Sequence, residues 1–167
     1  MGQVLAGPVR DPRAADLLRR YHERFGGSLQ PPEPVEAIAE DLLGLTVAES
    51  ESLEVSGMLL PADREIWLNA TEPTPRRRFT LSHELGHWVC QHQEGRSVPV
   101  FCRANEVGVG EGRLLEREAN VFAAELLMPA DVVRIAAGGG EVAAQFGVSD
   151  EAMAWRLYSL GLGARPA

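Results

Sequence analysis

The 167-residue chain is long enough to bury one hydrophobic core, and no apolar run approaches the roughly 20 residues needed to span a bilayer. Residues 1–10 contain no apolar stretch of the secretory-signal type, so a cytoplasmic protein with no membrane partner is expected. A net charge of −8 speaks against a broad nucleic-acid-binding surface, which needs clustered Lys and Arg, and Cys90 and Cys102 read as reduced thiols.

Taken in chain order, the pattern predicts a first helix over residues 11–26, where Ala14, Leu17, Leu18, Tyr21 and Phe25 recur at helical spacing. Gly26 and Gly27 end it, and the proline-rich stretch 30–34 is a linker. A short helix over 35–43 carries Val35, Ile38, Ala39 and Leu42 on one stripe. Strand-like runs follow at 45–48, 56–60 and 65–69, the last two separated by a turn, which makes a hairpin beside a third strand. A long helix runs from about 74 to 91, with Thr74 as N-cap and Pro75 as its first residue. Residues 93–112 are polar and glycine-rich and read as a long loop. A second long helix covers 113–128 and stops at Pro129, and shorter helices are expected over 130–137, 140–146 and 149–160. The chain is therefore divided into an N-terminal helix and linker (1–33), a core (34–129) and a helical C-terminal part packed on that core (130–167).

The long helix holds the informative motif, His83-Glu84-Leu85-Gly86-His87. Residues four apart lie on one helical face, so the two imidazoles stand one turn apart and can bind one metal ion. Glu84, between them, is placed to act as general base on a water beside that ion. Gly86 costs about 1 kcal/mol relative to Ala in mid-helix, which asks for a close approach by another element. The plain alternative is an amphipathic helix whose polar face carries two histidines and a glutamate.

A third ligand is needed. His92 is one place out of register for the extended motif with a third histidine, and reads as a surface residue. On the next helix, Glu116, Asn120, Ala123 and Leu127 share a face flanked by Ala119 and Ala124, which is small enough to pack close to the first helix. The face argument favours Glu116 as third ligand, with Asn120 one turn on as a hydrogen-bond partner for a ligand histidine. Glu118 falls on the far side near Glu125, where a solvated surface pair is expected. Two histidines and a carboxylate suit zinc, one ion per chain, although manganese or iron can also take such donors.

With both helices in view, the chain resembles the ImmA/IrrE family of zinc-dependent metallopeptidases. The resemblance rests on residues 78–87, including the HExxH-type motif, and on 116–129, from Glu116 to Pro129. Weaker echoes lie at 56–59, 65–69 and 146–149. It implies a zincin-like α+β fold, with a small sheet of about three strands packed on the active-site helix. It also implies His83, His87 and Glu116 as ligands and Glu84 as catalytic base. Family members act on helix-turn-helix transcriptional repressors, which implies such a protein as substrate in a stress, mobile-element or toxin–antitoxin-like system. The alternative is a zinc-bearing regulatory protein that sequesters its partner uncut. In zincin-type sites the substrate adds a strand to an exposed sheet edge, expected here at 56–60 or 65–69.

Other residues receive plainer readings. Arg76, Arg77 and Arg78 stand at the first turn of the motif helix, where the macrodipole disfavours cations, and a structural role is expected. Cys90 is expected as a buried thiol packing below the metal. The helix–turn–helix pattern at 141–160 offers only Arg156 to DNA, so packing is the better reading. Tyr158 and Arg103 are candidates to stabilise an oxyanion.

Overall fold

Asp11 starts the first helix: its carboxylate accepts hydrogen bonds from the amides of Arg13 and Ala14, and Pro12 occupies the first turn. Helix α1 (Pro12–Phe25) buries Ala14, Leu17 and Leu18 and ends at Gly26, whose φ of 86° suits only glycine. The structure, a computed structural model, describes residues 10–96, 101–102, 111–137 and 141–167. Helix α2 (Val35–Ala37) continues as a π-helical turn (Ile38–Leu42), and buries Val35, Ile38 and Ala39.

Strands β1 (Thr46–Ser50), β2 (Gly57–Leu60), β3 (Glu65–Asn69) and β4 (Phe101–Cys102) form one sheet in the order β1-β3-β2-β4. β2 and β3 are an antiparallel hairpin, and β1 runs parallel to β3. The three longer strands are those expected. The fourth, two residues long, pairs with β2 at Gly57 and Met58 and falls inside the stretch expected to be loop. Most of that stretch lies outside the described residues. One expectation is corrected: β3 lies between β1 and β2, and β2 lies between β3 and β4, so neither 65–69 nor 56–60 forms an edge of the sheet, Gly57 and Met58 being covered by β4. Local patterning shows that a segment is a strand and which face is buried, and leaves open which strand lies beside which.

Leu59 of β2 and Ile66 and Leu68 of β3 point to the core and meet helix α3 (Thr74–His87), which continues as a π-helical turn (Trp88–His92). At Gly57 a Cβ would lie 2.5 Å from Thr80 Cγ2, so the sheet can lie this close to α3 only with glycine there. Thr74 is the first helical residue rather than the cap; Pro73 precedes it, and the Thr74 hydroxyl accepts from Arg77 at 3.1 Å.

Helices α4 (Glu111–Leu127), α5 (Ala130–Ala136), α6 (Val142–Phe146) and α7 (Asp150–Ser159) complete the fold. Ser149 caps α7 by accepting from the Ala152 amide at 3.1 Å. Leu17 of α1, Leu85 of α3, Phe122 of α4, Phe146 of α6 and Met153 of α7 belong to one buried cluster. The result is the expected α+β, zincin-like architecture with a helical C-terminal part.

The arginine run is structural. Arg78 donates to the carbonyls of Glu33 at 3.1 Å and Gly147 at 3.2 Å, tying linker and tail to α3. Arg77 pairs with Glu49 at 2.8 Å, joining α3 to β1.

Candidate metal centre

From Thr80 to His87 every residue of α3 is buried, so polar groups on this stretch need partners inside the protein. The His83 and His87 Nε2 atoms lie 3.0 Å apart. Glu116, from α4, places one carboxylate oxygen 2.8 Å from His83 Nε2 and the other 3.1 Å from His87 Nε2. One donor atom from each of the three residues falls within 4.8 Å of the other two. This convergence requires α4 to lie against α3, and Gly86 allows it: a Cβ there would sit 2.9 Å from both the Cα and the carbonyl oxygen of Ala119.

The site is electrostatically consistent with a cation. Burial acts to raise the Glu116 carboxyl, but hydrogen bonds and charge from His83 and His87 outweigh it and hold it down at about 2. Burial acts to lower His87, and Glu116, Glu84 and Gln91 together override it and raise its pKa. Imidazole nitrogens 3.0 Å apart carry lone pairs that repel unless a proton or a metal ion lies among them. Two nitrogens and a carboxylate form a borderline donor set that fits zinc. Glu84 is 1% exposed, and its charge contributes to the raised His87.

Each histidine is held from behind. His83 Nδ1 donates to Asn120 Oδ1 at 2.8 Å, the contact expected for Asn120. His87 Nδ1 donates to Gln91 Oε1 at 2.7 Å. Gln91 went unnoticed at the level of sequence, although the spacing 83, 87, 91 carries the signal.

Glu118 and Glu125 are not a solvated pair. Glu118 is partly buried and meets Arg96 at 3.0 Å and Arg13 at 3.7 Å. Glu125 is 4% exposed and forms a buried ion pair with Arg156, which also donates to the Met128 carbonyl at 2.9 Å. Helical phase separates the two glutamates correctly from the Glu116 face, but α1 and α7 cover what an isolated helix would leave to water. Arg156 is thereby occupied inside the fold and does not face outward as a base- or phosphate-reading cation. Cys90 is fully buried, and burial pushes its thiol up to about 12. His92 is exposed and stacks on Trp88 with ring centres 4.4 Å apart. Tyr158 packs edge-on against Trp155 at 6.0 Å, and Arg103 lies outside the described residues. A groove of about 900 Å³ runs between α3, α4 and α7, lined by Phe79, Val121, Met128 and Trp155 and by Asn120 beside the site.

Two histidines one turn apart on a buried helix, a carboxylate from the next helix and a small sheet behind them define an α+β protein of the zincin type. The family model Peptidase_M78, described as the IrrE N-terminal-like domain, matches residues 41–158. The chain belongs to that peptidase family. A solved structure described as a Mycobacterium tuberculosis transcriptional regulator is similar over 87% of this chain, with a TM-score of 0.62 and 19% identity. The present chain covers 46% of that protein, and at this identity the likeness concerns the fold alone. A comparison with curated proteins gives no match. Among the described residues, no helix is long and apolar enough to cross a membrane.

Proposed function

We propose that this chain is a zinc-dependent endopeptidase that hydrolyses a peptide bond in one specific protein partner. His83, His87 and Glu116 hold the ion, one per chain, and Glu84 is the base. The observation that carries this reading is the convergence of two imidazole Nε2 atoms and an ionised carboxylate on the motif helix of a peptidase-family member. When bound, zinc supplies a Lewis acid that polarises the scissile carbonyl and lowers the pKa of the attacking water to about 7. The chain does the rest. A carboxylate oxygen of Glu84 takes the proton from that water and then delivers it to the departing amide nitrogen. Asn120 and Gln91 keep the imidazole rings turned toward the ion. Burial of the helix keeps bulk water from competing for the reacting groups.

The family resemblance supports a helix-turn-helix repressor as the partner, within a transcriptional or stress programme of the cytoplasm. Direct binding of nucleic acid is not part of the proposal, because the chain is acidic and Arg156 is committed to Glu125. The test compares wild type with Glu84→Gln, His83→Ala and Glu116→Ala for zinc content and for cleavage of a candidate repressor. Glu84→Gln should retain one zinc and lose cleavage by at least about 100-fold, in line with removal of a general base. The two ligand variants should lose both. Intact partner that stays bound to zinc-loaded wild type would favour sequestration, and a wild type that takes up no zinc would overturn the metal reading altogether.

A further inference from the structure

His87 has two ring nitrogens, and only the one without a proton can bind a metal. What decides between them is the group facing Nδ1. That group is the Gln91 carboxamide, which has no exposed surface and lies 2.7 Å away. A carboxamide presents either a donor or an acceptor, and its other end settles which. The Gln91 nitrogen faces the Leu115 carbonyl at 2.8 Å, with a Glu118 carboxylate oxygen at 3.5 Å. Both of these groups accept hydrogen bonds and cannot donate them, so the NH2 must point to them and the amide oxygen must point to His87. Nδ1 then has to carry a proton, and in the neutral, metal-binding ring it is Nε2 that has its lone pair toward His83 and Glu116.

Glu118 is itself fixed, by Arg96 at 3.0 Å and Arg13 at 3.7 Å. The arrangement thus extends from α1 through α4 and the π-helical turn after α3 to one ligand nitrogen. The corresponding partner of His83 is set less firmly, since Asn120 is an exposed residue that lines the groove.

We infer that Gln91 is a positioning residue of the metal centre, locking His87 in the Nδ1-protonated tautomer through a hydrogen-bond chain anchored on the Leu115 carbonyl and Glu118. The inference deepens the zinc-peptidase reading and rests on it for its affinity arm. Its tautomer arm stands without the metal.

The experiment uses the full chain as wild type, Gln91→Leu and Gln91→Glu. Zinc affinity is measured by competition with a chromogenic chelator. The protonation of the His87 nitrogens is read from imidazole ¹⁵N shifts in metal-free and zinc-loaded protein. In wild type, Nδ1 should carry a proton in both states, whereas Nε2 should be free of one in the zinc-loaded protein. Gln91→Leu should weaken zinc binding by about 10–100-fold, the usual effect of removing a hydrogen-bond partner behind a ligand histidine. Gln91→Glu keeps an oxygen for Nδ1 but loses the donor to Leu115, so it should restore affinity to within about 10-fold of wild type while still losing thermal stability. A purely structural role would make Leu and Glu equally damaging to stability and leave zinc affinity untouched in both. That result, or a wild-type His87 that is unprotonated at Nδ1, overturns the inference. If wild type binds no zinc at all, the peptidase reading fails, and the ¹⁵N shifts of the metal-free protein still decide the role of Gln91.

Discussion

At the scale of single residues, burial sorts the polar groups in and around the centre into two kinds. Glu116 stays ionised because two imidazoles outweigh the cost of burying it. For Cys90, one turn beyond His87, burial outweighs the pull of Arg13 and Arg96, and the thiol keeps its proton, with its pKa near 12 against an ordinary 9.0. This difference makes a prediction about stability. Above pH 9.0 the unfolded chain releases the Cys90 proton while the folded chain holds it, so the unfolded state binds fewer protons and stability falls with rising pH. Below pH 9.0 the thiol is neutral in both states and contributes no slope. Denaturant titrations at pH 9 to 11 should therefore show wild type losing about 1.4 kcal/mol per pH unit more than Cys90→Ala. Parallel slopes for the two proteins would mean that the thiol ionises inside the fold, contrary to its burial. Single residues are also where the sequence was most legible. The grouping of His83 with His87 was readable because it depends on local spacing, and that of Glu116 with them because a helical face can be drawn without knowing its neighbours. Glu118, Glu125 and Arg156 could not be placed that way, since their surroundings come from α1, α7 and the segment around Arg96.

At the scale of elements, the centre depends on how closely two helices approach. Gly86 and Ala119 are the contact, and three residues before Ala119 comes Glu116. Replacing Gly86 with Ala offers about 1 kcal/mol of helix propensity. Against that, the new methyl meets backbone atoms at 2.9 Å, which cannot rotate away as a side-chain tip would, so α4 has to shift. Overpacking of this kind costs about 1–3 kcal/mol, and the shift carries Glu116 away from the two imidazoles. Gly86→Ala should therefore melt earlier and bind zinc at least about 10-fold more weakly, an effect of the size expected when support of a ligand is disturbed. A variant that melts later with unchanged zinc affinity would show that the helices separate freely. Helix existence was readable throughout because apolar residues repeat at helical spacing over several turns. The π-helical turn at Trp88–His92 was not, and neither was the pairing of β1 with β3. The first depends on an extra residue accommodated between neighbouring elements, and the second on long-range packing that strand patterning does not encode.

At the scale of the whole molecule, the centre joins parts of the chain that are distant in sequence but share one core. α3 carries the two histidines and packs on the sheet, whereas α4 carries Glu116, packs on α1 and is tied to α7 through Glu125 and Arg156. An ion held by His83, His87 and Glu116 therefore bridges two helices at the middle of the fold rather than decorating its surface. Local opening of either helix breaks the site, so binding is coupled to global unfolding. A ligand that binds the folded state alone stabilises it by about 4 kcal/mol at a thousand times its dissociation constant. For a protein of this size each kcal/mol moves the midpoint by about 2–4 °C. Zinc-loaded protein should thus melt about 8–16 °C above the chelator-treated form, and scanning calorimetry with and without a chelator measures the difference directly. His83→Ala, which removes a ligand, should melt at one temperature under both conditions. A wild-type shift near zero with zinc demonstrably bound would mean that the unfolded chain binds the ion nearly as well as the folded one. The centre would then contribute chemistry but no stability, and the close packing at Gly86 would have to be held by the hydrophobic core alone.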